Sequence, residues 1–305
     1  MKKITTHIYI VSIIALVAFV VGSFFDYQIN STLFHNKDAF GLTISVLGTI
    51  PGYGVLAFIG GGFLFFGIKK ELPHDVWKVV MYLMAVLCFG FAVYFTGKEF
   101  FGPNGFDGVK LFWGFFIAAP IDIGIAILGY FITSKTDNDK VWVIYLLIAL
   151  LYIIVLLGGV TLLKSIMHRP RYRVLVEGEI PGVDYHAWYE RFSEYRQLVK
   201  DGVISNALKE EFKSFPSGHA GSSACFMMSM IFLPSINKKY ERLQIPMFYA
   251  GLAWTLLVSF ARMYVGAHYM SDVAMGSILA VLFFYIGKIV ADNLKYLKNE
   301  ERTQQ

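Results

Sequence analysis

Eight runs of mostly apolar residues constrain this chain more than any other feature. They lie at about 8–25, 48–68, 77–97, 111–133, 141–163, 219–235, 246–262 and 273–292. Each comes near the roughly 20 residues that an α-helix needs to cross the hydrocarbon core of a bilayer. In lipid the backbone must satisfy its own hydrogen bonds, which leaves only helices or closed barrels. The runs are too long and alternate too little for barrel strands. The expected fold class is therefore all-α, a polytopic transmembrane helical bundle of about eight spans. The composition agrees, since 56% of the 305 residues are hydrophobic and 16% are charged, which is not a soluble globular balance. The net charge of +5 does not point to nucleic acid, because the basic residues sit in short loops between the runs. Met1-Lys2-Lys3 and the apolar stretch after it have the outline of a secretory signal. That run ends in Phe24-Phe25-Asp26-Tyr27-Gln28 with no small-residue cleavage site, so it is read as a retained first helix. Cys88 and Cys225 both fall inside expected spans and are read as buried free thiols, with neither a disulfide framework nor a zinc site.

Basic residues between the runs suggest an orientation. With a cytoplasmic N-terminus, Lys69, Lys70, Lys78, Lys135, Lys140, Lys238, Lys239 and Arg242 all lie on the cytoplasmic side, joined by a tail at 293–305 carrying Lys295, Lys298 and Arg302. The opposite short loops hold only Lys37, Lys98 and Lys110. This is the positive-inside pattern, with both termini cytoplasmic. The exception is 164–215, outward-facing on this reading yet rich in Lys and Arg. A connection of that length is uncommon unless it has a function.

Residues 1–305 are read as one membrane domain: N-terminal spans over 1–140, a core over 141–292 and the tail. Within 164–215, Asp184 is placed to cap a helix bearing Tyr185, Trp188, Tyr189, Phe192 and Val199 on one face and Glu190, Glu194 and Lys200 on the other. Such a helix either lies in the headgroup layer or packs on the other helices. Asn30-Ser31-Thr32 has the form of a glycosylation site. Gly60-Gly61-Gly62, within the second run, suits close helix packing. Asp122, two residues after Pro120, is a functional candidate because it is an intramembrane carboxylate. The neighbouring runs offer it no cation, which favours a structural role beside the proline.

Three polar clusters from distant parts of the chain reach the same outer surface on this topology. In 261–272, His268 and Asp272 are four apart and share a helix face. A carboxylate there can fix the imidazole tautomer, and Arg262 can hold an anion beside it. At 216–219, Pro-Ser-Gly-His precedes a helix whose N-terminal amides attract anions. Gly218 permits close backbone approach, Ser217 adds a hydroxyl and His219 a second group titrating near neutrality. At 164–173 stand Lys164, Arg169 and Arg171, more cations than anchoring a span requires. Two histidines, a carboxylate, several cations and a helix N-terminus, with no metal cage, fit phosphoryl transfer, in which positioning and electrostatics do most of the work.

These clusters resemble the signature of the type 2 phosphatidic acid phosphatase (PAP2) superfamily: K-x6-R-P, then P-S-G-H, then S-R-x5-H-x3-D. Lys164 and Arg171 match the first part, with Tyr172 where proline is usual. Pro216 to His219 match the second, and Arg262, His268 and Asp272 the third, with Ala261 in place of serine. The resemblance covers about 141–292. It implies that His268 attacks phosphorus, that Asp272 orients it and that His219 is the general acid and base. It also implies that Lys164, Arg171, Ser217, Gly218 and Arg262 hold the phosphate, with no metal or other cofactor. The expected substrate is a phosphorylated membrane lipid, such as phosphatidic acid, phosphatidylglycerol phosphate or a polyprenyl diphosphate, met at the outer face of the plasma membrane. A transporter or lipid-binding protein that holds phosphate without hydrolysing it is the alternative.

Overall fold

Helices form where the apolar runs stand, and several outlast them. In the computed structural model, which describes residues 2–36, 38–69, 72, 74–101, 111–136, 139–177, 180, 182–232, 234 and 237–303, the order is α1 (Lys2–Leu33), α2 (Ala39–Leu47), α3 (Ile50–Lys69), α4 (Asp75–Phe101), α5 (Leu111–Thr133) and α6 (Asp139–Met167). The short helices α7 (Tyr172–Glu177), α8 (Tyr195–Lys200) and α9 (Gly218–Ser229) follow, then α10 (Glu241–Tyr264) and α11 (Met270–Thr303). Lys37, Lys70 and Lys110, used above for orientation, lie outside the described residues.

Among the described residues, seven segments are long and apolar enough to cross a membrane. Each corresponds to one of the expected runs. The remaining run, 219–235, is an α-helix only to Ser229 and then a 3-10 turn over Met230–Phe232; its residues 233 and 235 lie outside the described set. At the N-terminus, α1 passes straight through Asp26 and continues to Leu33. That helix absorbs the Asn30-Ser31-Thr32 triplet. Asn30 is fully buried and its amide donates to the His268 carbonyl at 3.1 Å, so it is not a glycan acceptor in this fold.

The chain forms two compact units. One comprises Met1–Gly48, Val155–Ala224 and Leu252–Val281; the other comprises Thr49–Ile154, Cys225–Gly251 and Leu282–Gln305. In the second unit, small residues set the spacing of α3, α4 and α5. A Cβ added at Gly61 would fall 1.9 Å from the Ala126 carbonyl oxygen, and one at Gly129 would fall 2.1 Å from that of Phe58. Close approach of this kind lets helix backbones pack where lipid removes the usual hydrophobic drive. Asp122 is buried in this unit beside Thr96, and Cys88 and Cys225 are buried free thiols.

In the first unit, the long connection folds around its own apolar cluster. Val174, Ile180, Phe192, Tyr195, Ile204 and Phe212 are buried together there. The helix expected from Asp184 onward is not formed: residues 183–194 are turns and irregular backbone, and only Tyr195–Lys200 is helical. The reason lies in where its aromatics go. Phe192 stacks on Phe212 at 5.8 Å. Trp188 packs on Phe19 and Phe215 and donates from Nε1 to Ser23 at 2.8 Å. Tyr185 lies against Tyr269. Three anchors pulling in different directions defeat a single helical face.

Candidate functional site

The site gathers in the first unit. Helix α9 begins at Gly218, with Ser217 as its N-cap, whose hydroxyl accepts from the Ala220 amide at 3.3 Å. The Ser217 amide in turn donates to the Asp272 carbonyl at 2.9 Å. This fastens the Pro-Ser-Gly-His stretch to the start of α11. A Cβ added at Gly276 would fall 2.2 Å from the Ser217 carbonyl oxygen, so this glycine is required by the closeness of α11 to the loop.

The two histidines face each other. The ring centroids of His219 and His268 are 6.3 Å apart. His268 is fully buried. Its Nδ1 lies 2.7 Å from the Ser214 carbonyl oxygen. A carbonyl can only accept, so Nδ1 carries the proton and Nε2 the lone pair. Nε2 makes no hydrogen bond among the described residues. Burial pushes His268 well below the ordinary imidazole value; nearby Arg262 and Lys164 push the same way, and Asp272 opposes them. The ring is therefore neutral near pH 7.

Asp272 does not orient His268 through a direct hydrogen bond, as spacing alone suggested. Its Oδ2 is 3.7 Å from Nδ1, too far for one, although close enough for attraction. The two are connected through Ser214, which donates from its hydroxyl to Asp272 Oδ2 and accepts from His268 on its carbonyl. The Tyr269 amide also donates to Oδ2, at 2.8 Å, and Arg169 donates to Oδ1 at 2.6 Å.

The cations lie at different removes. Lys164 Nζ would be 3.8 Å from a Cβ at Gly218, which places it over the start of α9. Arg262 is fully buried, and its carbonyl accepts from the Ala267 and His268 amides at 3.0 and 3.2 Å. Arg171 is buried and lies 3.4 Å from Glu211. Glu211 makes shorter contacts with Arg173, at 2.6 and 2.5 Å. Burial raises the Glu211 carboxyl, but Arg171, Arg173 and Arg262 outweigh it and hold the group below its ordinary value. By these contacts Lys164, Ser217, Gly218, His219, Arg262, His268 and Asp272 form one neighbourhood, and Arg171 joins it through Glu211. The two departures from the resembled pattern are both packed. Tyr172 sits edge-on to Tyr27 and Phe34, and Ala261 is fully buried.

Sequence reading missed Asp26, Ser214, Glu211 and Ser271, and it counted Arg169 only as one cation of the 164–173 cluster. The usable signal was Asp26 itself, a lone acid at the end of the first apolar run. Among the described residues no group of three or more His, Cys, Asp and Glu side chains is placed to hold a metal ion.

Around positions 219 and 268, then, a helical protein with membrane-length spans presents paired imidazoles, buried cations and one ring nitrogen with no hydrogen bond among the described residues. The model of the PAP2 superfamily matches residues 142–295, half of the chain, and the chain belongs to that superfamily. A curated relative, phosphatidylglycerophosphatase B of Bacillus subtilis (strain 168), is 30% identical over 119 residues, which covers 37% of this chain and 52% of that protein. The chain thus spans about half the length of the curated relative it matches. No solved structure matches it.

Proposed function

We propose that this protein is an integral membrane phosphatase that hydrolyses a phosphate monoester or diphosphate of a membrane lipid through a phosphohistidine intermediate. The observation that carries this reading is the Nδ1 contact with the Ser214 carbonyl at 2.7 Å, which leaves the lone pair on Nε2 of a neutral ring. A phosphate bound by a cap and lysine alone would not need that tautomer.

In the first step Nε2 of His268 attacks phosphorus and the bond to the lipid oxygen breaks. His219 gives a proton to the departing oxygen. The positive charge that develops on the His268 ring is balanced by Asp272. In the second step His219 takes a proton from water, which attacks phosphorus; the P–N bond breaks, freeing phosphate and restoring His268. Lys164, Arg171, Arg262, the Ser217 hydroxyl and the Gly218 amide stabilise the charge on the equatorial oxygens. The Ser217 oxygen accepts from Ala220, so its proton is available for the phosphate. The reaction on this reading uses no metal.

A lipid substrate is supported by the membrane-length helices and by the phosphatidylglycerophosphatase relative. Counting 219–235 as a crossing beside the seven longer segments, the charge asymmetry of the loops supports a plasma-membrane location with both termini cytoplasmic and the site at the outer face. The test is phosphate release by purified protein in detergent with EDTA. The substrates are phosphatidic acid, phosphatidylglycerol phosphate and a polyprenyl diphosphate. Release from at least one is expected, and His268→Ala should abolish it while lipid binding persists. Unchanged turnover in that variant removes the catalytic assignment, and binding without turnover in the unaltered protein favours a carrier.

A further inference from the structure

A second polar assembly lies behind Asp272, and the chemical steps above do not use it. At its centre is Arg169, fully buried, with every guanidinium N–H matched to an acceptor. Nε donates to the His186 carbonyl at 2.8 Å. Nη1 donates to Ser271 Oγ at 2.9 Å and to Asp272 Oδ1 at 2.6 Å. Nη2 donates to Asp26 Oδ2 at 2.9 Å and to Tyr185 Oη at 3.2 Å. The Tyr269 ring lies flat beneath it, 4.1 Å from the guanidinium carbon.

Asp26 comes from α1, far from the other members in sequence, and it is fully buried too. It holds the start of α11 as well as the arginine. Its Oδ1 accepts from the Ser271 amide at 2.9 Å, one of the N-terminal amides that a helix leaves without an internal partner. Its Oδ2 accepts from the Ser271 hydroxyl. Ser271 is the residue immediately before Asp272. Asp26 therefore fixes Asp272 twice, by anchoring the backbone beside it and by holding the arginine that binds its outer oxygen. With Oδ1 taken by Arg169, Oδ2 is the oxygen turned toward Ser214 and His268.

We propose that Asp26 is a positioning residue for the reaction, acting through Arg169 and Ser271 to hold Asp272, and through it Ser214, in the arrangement that keeps the His268 lone pair on Nε2. The inference rests on the phosphatase reading above. Neither Asp26 nor Arg169 is placed to touch phosphate, since their polar atoms are engaged with each other, with Ser271, Asp272, Tyr185 and His186. Their loss should slow the chemical step and leave substrate capture nearly intact.

Asp26→Asn keeps the shape but turns an amide toward donors that need an acceptor. In detergent, with a phosphorylated lipid that the unaltered protein turns over, kcat should fall roughly ten- to a hundredfold, the scale of a misplaced reacting group. KM should stay close to the unaltered value. Ser271→Ala removes one hydroxyl and keeps the amide, so its kcat loss should be smaller with the same unchanged KM; it serves as the deciding variant if Asp26→Asn does not fold. Unaltered kcat in a folded Asp26→Asn protein overturns the proposal, as does a rise in KM with kcat unchanged. If Asp26→Asn is unfolded, unaltered kcat in Ser271→Ala overturns it. Absence of turnover by the unaltered protein on every lipid removes the phosphatase reading, and this proposal with it. That outcome is distinct from a variant matching an active parent.

Discussion

In the unit built from 49–154, 225–251 and 282–305, helices approach until only glycine fits between one backbone and the next carbonyl, as at Gly61 and Gly129. In the unit built from 1–48, 155–224 and 252–281, buried charged side chains knit the elements together, and Arg169 alone joins α1, the connecting segment and α11. Among the described residues, Asp122 is the one fully buried charged group in the former, whereas the latter buries Asp26, Arg169, Arg171, Glu211, Arg262 and Asp272. Close-packed small residues give a scaffold that tolerates little added volume. A network of satisfied charges gives directional placement, at the risk that each member depends on the rest.

The contrast can be broken most forcefully at Arg169. Arg169→Leu leaves the Asp26 and Asp272 carboxylates buried without their cation. Breaking a buried pair by removing one partner costs about 3–5 kcal/mol, so the variant should lose a large part of its stability in a detergent melt. A modest change in melting temperature would show that the network is less coupled than its geometry implies. Next in size is Gly61→Ala, whose new methyl meets the Ala126 carbonyl. Overpacking of this kind costs roughly 1–3 kcal/mol. Melting should come earlier, while kcat per folded molecule holds.

The smallest effect is a pH dependence particular to the charged unit. His268 titrates lower in the folded protein than its ordinary 6.5, chiefly through burial and then through Arg262 and Lys164. Between the two values the unfolded chain binds more protons. The contribution of this group to stability is therefore complete above about 6.5 and is lost as pH falls from there toward the folded value. Melting temperatures of the protein and of His268→Ala, measured from neutral to acid pH, should diverge over that interval. Lys164→Met should narrow the interval, because removing a nearby cation lets the folded value rise. Parallel curves for parent and His268→Ala would contradict the assigned shift.

Most of the spans were legible because a bilayer imposes one length on any apolar helix, and 111–133 appears as α5 with the same limits. The three motif clusters were legible because the superfamily's pattern is written in particular side chains, and those have letters. The Ser214 acceptor of His268 is a backbone carbonyl, which every residue carries, so no pattern singles it out. Asp26 was read as the end of a helix because a carboxylate in lipid is costly. The partner that makes it affordable is Arg169, 143 positions away. The aromatic spacing after Asp184 fits a helix in one dimension, but its rings serve separate contacts on Phe19, Tyr269 and Phe212.

The place of Asn30 and Asp26 in α1 bears on where the working part of such a protein begins. The superfamily match starts at residue 142, yet the His268 carbonyl and the first turn of α11 are held by side chains more than a hundred residues earlier. A fragment trimmed to the matched boundaries would retain every signature motif and still lack the side chains that hold the His268 carbonyl and the start of α11. Homology limits drawn from shared letters can thus fall short of the smallest piece able to act.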